Sequence, residues 1–199
     1  EFLKRTAQLT GGALALGSSA SLFGKSGALP KPNKSGIDHI VLVTMENRSF
    51  DHFLGWLPGA NGMQAGLSFT DTAGNAYPTY ALSPDYQGCG HADPDHSYDG
   101  GRVEYDGGKC DGFLQTALVG DQFPIGYYTQ SDLAFLGQAA PDWTACSSYF
   151  AAIMAETFPN RIYQHAAQTD RIDNSTAIST LPTIWDRLAD HGISRRYYF

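Results

Sequence analysis

The hydrophobic pattern begins with an uninterrupted apolar run at residues 40–43 that is soon followed by polar residues. A run without polar alternation is typical of a strand that helices cover on both faces, so it predicts a strand inside an α/β sheet. Glu46 and Asn47 follow this run. Open α/β sheets bind ligands and metals just beyond their strand ends, which makes this pair a candidate site. From spacing alone, a solvated turn explains the pair equally well.

Further apolar residues recur at helical spacing. Ser49 is placed to cap a short helix that the Pro-Gly pair at residues 58–59 ends. Residues 181–191 predict a second helix, because Thr180 precedes it, Pro182 lies at its start and Gly192 follows it. A helix at residues 131–139 and a strand at residues 142–146 are expected between these two.

Residues 60–126 are dominated by Gly, Asp, Tyr and Pro. Such a composition predicts long, well-packed loops with at most short strands. The whole chain has 22 glycines and only 17% charged residues, which agrees with this interpretation. We expect the region to cover an active site.

The chain has three cysteines, so at least one stays unpaired in a monomer. Cys89 and Cys110 flank one Gly/Asp-rich loop and are the pair that a disulfide would join. Cys146 lies close to Trp143 and Phe150 in sequence, which predicts a buried thiol that packs as a small apolar side chain.

The formal net charge is −7, and no stretch of the chain is strongly basic. Nucleic acid is therefore excluded as a partner, and anionic membranes would not attract the chain. If the protein binds phosphate groups, a metal centre has to supply the positive potential, because the surface does not.

The first residues resemble the second half of a twin-arginine export signal, Glu1-Phe2-Leu3-Lys4. The following stretch at residues 9–23 is weakly apolar, short and rich in small residues, which favours a signal peptide and predicts no stable membrane span. We therefore expect a signal peptide and linker over residues 1–35 and an exported protein, periplasmic or extracellular. Residues 36–199 are expected to be the N-terminal part of a larger catalytic domain.

Two motifs carry a family resemblance, V-T-M-E-N-R-S-F-D-H-F-L-G at 43–55 and E-T-F-P-N-R at 156–161. With supporting stretches at 93–96, 105–113 and 183–194, they resemble the bacterial phosphoesterase family that includes the non-toxin phospholipases C and related acid phosphatases. That family looks like a branch of the alkaline phosphatase superfamily. The resemblance implies an α/β/α sandwich, which would be incomplete in this chain.

The resemblance also implies roles for individual residues. Glu46 and Asn47 match the pair that binds a metal, here a divalent ion whose identity stays open, and Thr157 matches the nucleophile beside that metal. His96, in Asp-Pro-Asp-His at 93–96, matches a histidine of the family pattern. It is a candidate acid for protonating the leaving alkoxide.

The chemistry of the second motif can be argued from its residues. A threonine hydroxyl is a weak nucleophile that needs a base or a metal, and no fixed base is evident nearby. Pro159 suits the first turn of a helix, so Thr157 should lie where free N–H groups favour an anion. Arg161 would clamp phosphate or tie down the loop. Plain capping by Thr157 is the alternative, whereas a sulfatase is disfavoured because no cysteine occupies position 157.

These observations lead to one function hypothesis and one alternative. The first is metal-dependent hydrolysis of a phosphoric ester, either a phospholipid or a soluble monoester. The second is a non-catalytic exported surface or binding protein that keeps the fold, which the aromatic content of 13% would suit.

Overall fold

The computed structural model describes residues 31–45 and 48–198. Residues 31–45 belong to one compact unit, and residues 48–198 belong to a second. Most of the predicted signal peptide and the Glu46-Asn47 pair lie outside the described residues. The predictions for those segments stay predictions.

In the first unit, a single 3-10 helical turn at Pro32–Lys34 is the regular structure of the described residues. The expected strand at residues 40–43 is wrong, because these residues have no strand assignment and their four side chains are between 74% and 89% exposed. An apolar strand is stable only when neighbouring strands take up its N–H and C=O groups and helices cover its side chains. The described residues provide no such neighbour for this segment.

The second unit is built from short helices and strands. In chain order they are α1 (Phe50–Leu54), β1 (Ser68–Thr70), β2 (Ala76–Pro78), β3 (Tyr80–Ala81), α2 (Tyr98–Tyr105), β4 (Gly126–Tyr127), α3 (Leu136–Asp142), α4 (Thr157–Ala166) and α5 (Ile184–Asp190). Single 3-10 turns connect several of them. This mixture of helices and small sheets is consistent with an α/β fold.

The strands of this unit form two small sheets. β1 and β2 pair antiparallel, with Phe69 opposite Tyr77, and β3 and β4 pair parallel, with Tyr80 opposite Gly126. Both sheets draw on residues 60–126, so the prediction of short strands there is confirmed. The eight-residue helix α2 was not predicted in this region.

Helix α1 begins as predicted, because the Ser49 hydroxyl accepts the N–H of His52 at 3.2 Å. It ends earlier than expected, with Gly55 as its C-cap rather than continuing to Leu57. A Cβ at Gly55 would lie 2.4 Å from Cγ of Gln64, so only glycine allows this close approach.

Four expectations for the middle of the chain are wrong in whole or in part. The helix predicted at 131–139 is split into a 3-10 turn at Gln130–Asp132 and the later helix α3, and residues 143–146 form no strand. The three cysteines are free and exposed, so Cys146 is not a buried apolar residue and Cys89 is not paired with Cys110. Trp143 is 68% exposed and therefore offers no apolar surroundings for a strand or a buried thiol.

Helix α5 confirms the C-terminal helix but starts three residues later than predicted. Thr183 caps it, and the carboxylate of Asp186 accepts the N–H of Thr183 at 2.7 Å, which closes a capping box. Gly192 follows the helix with a φ of +65°, as expected for a glycine beyond a helix end. Within the part of the chain that the structure describes, no helix is long and apolar enough to cross a membrane.

The core of the second unit centres on Leu82, Phe123 and Tyr128. His52 is buried beside this cluster, and its Nδ1 lies 2.9 Å from the carbonyl oxygen of Gly126. Its other ring nitrogen, Nε2, has no hydrogen-bond partner among the described residues. Burial, helped by the nearby charge of Arg48, lowers the pKa of His52, so the imidazole is kept neutral.

We predict that this histidine makes the protein less stable in mild acid. The unfolded chain takes up the proton near pH 6.5, whereas the folded chain resists it to a lower pH. The unfolded state therefore binds more protons in that window, and the free energy of unfolding falls as the pH decreases below this value. Urea unfolding at about pH 7.5 and about pH 5 would measure the loss.

The variant His52→Phe removes the titrating group and should flatten this pH dependence. His191→Gln, which removes an exposed histidine, should leave the dependence unchanged. An equal flattening in both variants would contradict the assignment to His52.

Candidate active site

Thr157 is the first residue of α4, and Glu156 occupies the N-cap position. Pro159 lies in the first helical turn and is fully buried. The prediction that Thr157 lies at a helix start is therefore confirmed, and the alternative that Thr157 itself caps the helix is wrong. The Thr157 side chain is half-buried, and its hydroxyl forms no hydrogen bond with any described residue.

The N-terminal end of α4 is partly occupied by a later segment of the chain. The side-chain oxygen of Asn174 accepts the N–H of Phe158 at 2.8 Å, and the carboxylate of Glu156 accepts the N–H of Asn174. The prediction of free N–H groups beside Thr157 is therefore only partly correct. One of these donors is already used.

The loop before Thr157 is folded around the side chain of Asn160. Its Nδ2 donates to the carbonyl oxygens of Ile153, Ala155 and Glu156 at 2.9, 3.0 and 3.0 Å, and its Oδ1 lies 3.3 Å from the N–H of Ile153. No local sequence pattern indicates this role, because the bonds depend on how the loop bends back over the helix.

Helix α2 docks against the same loop. Arg102 donates to the carbonyl oxygen of Met154 at 2.8 Å, and its guanidinium lies 3.3 Å from the ring centre of Tyr98. Gly101 is buried at this contact, where a Cβ would lie 2.8 Å from Cγ of Met154. The absence of a side chain at this glycine lets α2 approach the loop.

His96 lies just before α2, and Ser97 caps that helix by accepting the N–H of Gly100 at 3.0 Å. The Nδ1 of His96 lies 2.9 Å from the carbonyl oxygen of Pro94. This bond is the main cause of a raised pKa of His96. Partial burial opposes it, and the charges of nearby carboxylates, including Glu156, add to the rise. A larger fraction of His96 is then protonated near neutral pH, as an acid requires.

The contact of α2 with Met154 brings His96, two residues before α2, towards the segment that carries Glu156. Glu104, on α2, is a further carboxylate near this histidine, and sequence reasoning missed it because its local sequence carries no signal. Burial raises the pKa of Glu104, and a hydrogen bond from the Thr116 hydroxyl at 2.9 Å partly opposes this effect.

On the C-terminal side of the Glu46-Asn47 pair, the described residues begin at Arg48. The Arg48 guanidinium lies 4.8 Å from the ring centre of Phe123, and a Cβ at Gly88 would lie 1.8 Å from Nη2 of Arg48. The structure thus shows how the residue after the pair is anchored. Within residues 31–45 and 48–198, no group of three His, Cys, Asp or Glu side chains is arranged to hold a metal.

A cavity of about 430 Å³ lies between α4 and α5. Arg161 lines it, but Thr157, one helical turn earlier, does not. His165, also in the lining, accepts a hydrogen bond from the indole of Trp185 at 3.2 Å, and burial together with the charge of Arg161 lowers its pKa. The cavity therefore borders the helix of the candidate nucleophile without containing it.

Residues 37–199 match the family model described as the Phosphoesterase family. The chain belongs to the phosphoesterase family. The matched region contains Thr157, His96 and the Glu46-Asn47 pair, so all the predicted site residues fall within it.

Known relatives of this phosphoesterase chain are named as phospholipases C. Phospholipase C A of Mycobacterium tuberculosis is 31% identical over 85% of this chain and 37% of the relative, and phospholipase C B of the same species is 32% identical over the same shares. Non-specific phospholipase C3 of Arabidopsis thaliana is 25% identical over 83% of this chain and 37% of its own length. The chain thus spans about 37% of the length of these relatives.

Proposed function

We propose that the whole protein hydrolyses phosphoric esters and that Thr157 is the nucleophile. Membership of the phosphoesterase family and the names of the relatives support the reaction class. The observation that carries the site is the docking of α2 on the loop before Thr157, at Met154. This contact supports the pairing of His96 with Thr157, because His96 lies two residues before α2 and Thr157 lies three residues after Met154.

The residues also fit a bound divalent cation. Glu46 and Asn47 would contribute a carboxylate and an amide oxygen, and the Thr157 hydroxyl, which has no hydrogen bond to a described residue, is open to join them. When bound, the cation would lower the pKa of the hydroxyl and neutralise charge on the phosphoryl group. A protein with a net charge of −7 offers little other positive potential.

The proposed reaction has two steps. The Thr157 hydroxyl releases its proton to solvent as its oxygen attacks phosphorus, the bond to the leaving oxygen breaks, and His96 donates its proton to that oxygen. A water molecule then attacks phosphorus and gives a proton to His96. The bond to the Thr157 oxygen breaks and that oxygen takes up a proton from solvent, which releases the phosphate product and restores the enzyme. The raised pKa of His96 suits the first step, because it increases the fraction of His96 that carries the proton to be donated.

The proposal also covers the complete fold around the site and the location of the protein. The relatives are longer than this chain, and the small sheets described here would belong to a larger α/β/α sandwich. We also propose that residues 1–35 direct export, so that the enzyme acts in the periplasm or outside the cell.

The proposal is tested with the whole protein and two substrates. Since the relatives are named as phospholipases C, we expect release of phosphorylcholine from phosphatidylcholine to exceed release of phosphate from a small aryl phosphate. A chelator should abolish the activity, and added divalent cations should restore it. The reverse substrate preference would indicate a phosphatase.

A lack of hydrolysis with both substrates and several divalent cations would overturn the proposal. It would favour the non-catalytic surface protein, for which exposed aromatic side chains offer contacts: Trp143, Tyr149 and Phe150 are 68%, 87% and 79% exposed.

A further inference from the structure

We propose that Asn160 is a positioning residue that sets the direction of the Thr157 hydroxyl, and this inference rests on the proposed function. Asn160 lies three residues beyond Thr157 on α4 and is half-buried. Its amide makes contacts with three carbonyl oxygens and one N–H, all from residues 153–156. Each of these atoms belongs to the segment that leads directly into Thr157.

The loop has little else to fix its shape. Residues 151–156 form neither helix nor strand. Within this described loop, one backbone hydrogen bond joins the N–H of Ala155 to the carbonyl oxygen of Ile153 at 3.0 Å. A side-chain amide has two N–H donors and a carbonyl acceptor, so Asn160 uses its whole donor capacity on this loop. The side chain replaces the backbone hydrogen bonds that regular structure would supply.

The other side of Thr157 is held separately. Phe158 donates to Asn174, and Pro159 is fully buried. The helix side of the nucleophile is therefore fixed without Asn160, whereas the loop side depends mainly on it. Arg102 at Met154 and the N–H of Asn174 at the Glu156 carboxylate give further support. A shift of the loop would rotate the Thr157 backbone and move the hydroxyl away from its line of attack, which reduces the rate without removing a reacting group.

Asn160→Asp is the most informative substitution. The two side chains have the same shape, but the carboxylate loses both donors and faces the carbonyl oxygens of Ile153, Ala155 and Glu156. At lower pH the acid form regains one donor, so part of the arrangement can be restored. Gln168→Glu is the matched control, because it adds the same charge at an exposed residue just after α4.

The experiment measures kcat, KM and the amplitude of the pre-steady-state burst in the whole enzyme. We expect Asn160→Asp to lower kcat at least about tenfold with little change in KM. The ratio of variant to wild-type kcat should rise as the pH falls, while Gln168→Glu stays near wild type. Asn160→Ser, which keeps a small uncharged donor, should lie between the two and serves if Asn160→Asp does not fold.

A purely structural role gives a different result. It would lower the burst amplitude and the melting temperature while kcat per competent site stayed at the wild-type value with no pH dependence, and that outcome would overturn the inference. The activity of Thr157→Ala distinguishes a failure of the proposed function from a failure of the role of Asn160. If Thr157→Ala stays active, the nucleophile is wrong; if Thr157→Ala is inactive while Asn160→Asp is fully active, only the role of Asn160 is wrong.

Discussion

Replacing Thr157 by alanine is expected to reduce phosphoester hydrolysis by on the order of 10³-fold or more, because the covalent path is lost. The fold should persist. Thr157 is not the N-cap of α4, and its hydroxyl bonds to no described residue, so the free energy of unfolding should fall by less than about 1 kcal/mol. Steady-state kinetics and urea unfolding of the whole protein measure the two quantities.

Two variants sharpen this test. Thr157→Ser keeps a hydroxyl and should retain much of the activity, whereas Thr180→Ala removes an exposed threonine outside α4 and should behave as wild type. Residual activity of Thr157→Ala above about a tenth of wild type would be incompatible with a covalent role.

The second large effect is expected at the Glu46-Asn47 pair. Glu46→Gln and Asn47→Ala should each lower the metal content and the hydrolytic rate, because hard divalent cations require oxygen ligands and lose affinity when one is removed. Elemental analysis after dialysis measures the metal, and excess metal in the assay should restore part of the activity. Asp190→Asn, at an exposed carboxylate on α5, should change neither quantity.

Unchanged metal content in both variants would show that the pair has a structural role. The anchoring of Arg48 on Phe123 would then be the main purpose of the first motif, because it fixes the start of α1 beside the core.

Short-range signals in the sequence predicted their structures well. Ser49 begins α1, Pro159 lies in the first turn of α4, and Gly192 follows α5. Each signal acts through the residue's own backbone angles or through a hydrogen bond three residues away, and it does not need the rest of the fold.

Features that depend on distant partners were predicted poorly. The apolar run at 40–43 and the segment at 142–146 have strand-like composition, but a strand requires a neighbour that composition cannot name. The roles of Arg102 and Asn160 were not predicted, for a related reason. Each side chain binds carbonyl oxygens whose positions are set by loop geometry, which no local pattern encodes.

The Asn174 contact limits what the dipole of α4 can contribute to binding an anion. Pro159 has no N–H, the N–H of Phe158 is already donated, and the carboxylate of Glu156 places a negative charge at the positive pole of the helix. The N-terminal end of α4 would therefore attract an incoming phosphate group only weakly. In the proposed mechanism, the attraction for a phosphoester at this corner would therefore come from the bound cation rather than from the helix dipole, and α4 would serve mainly to hold Thr157 in position.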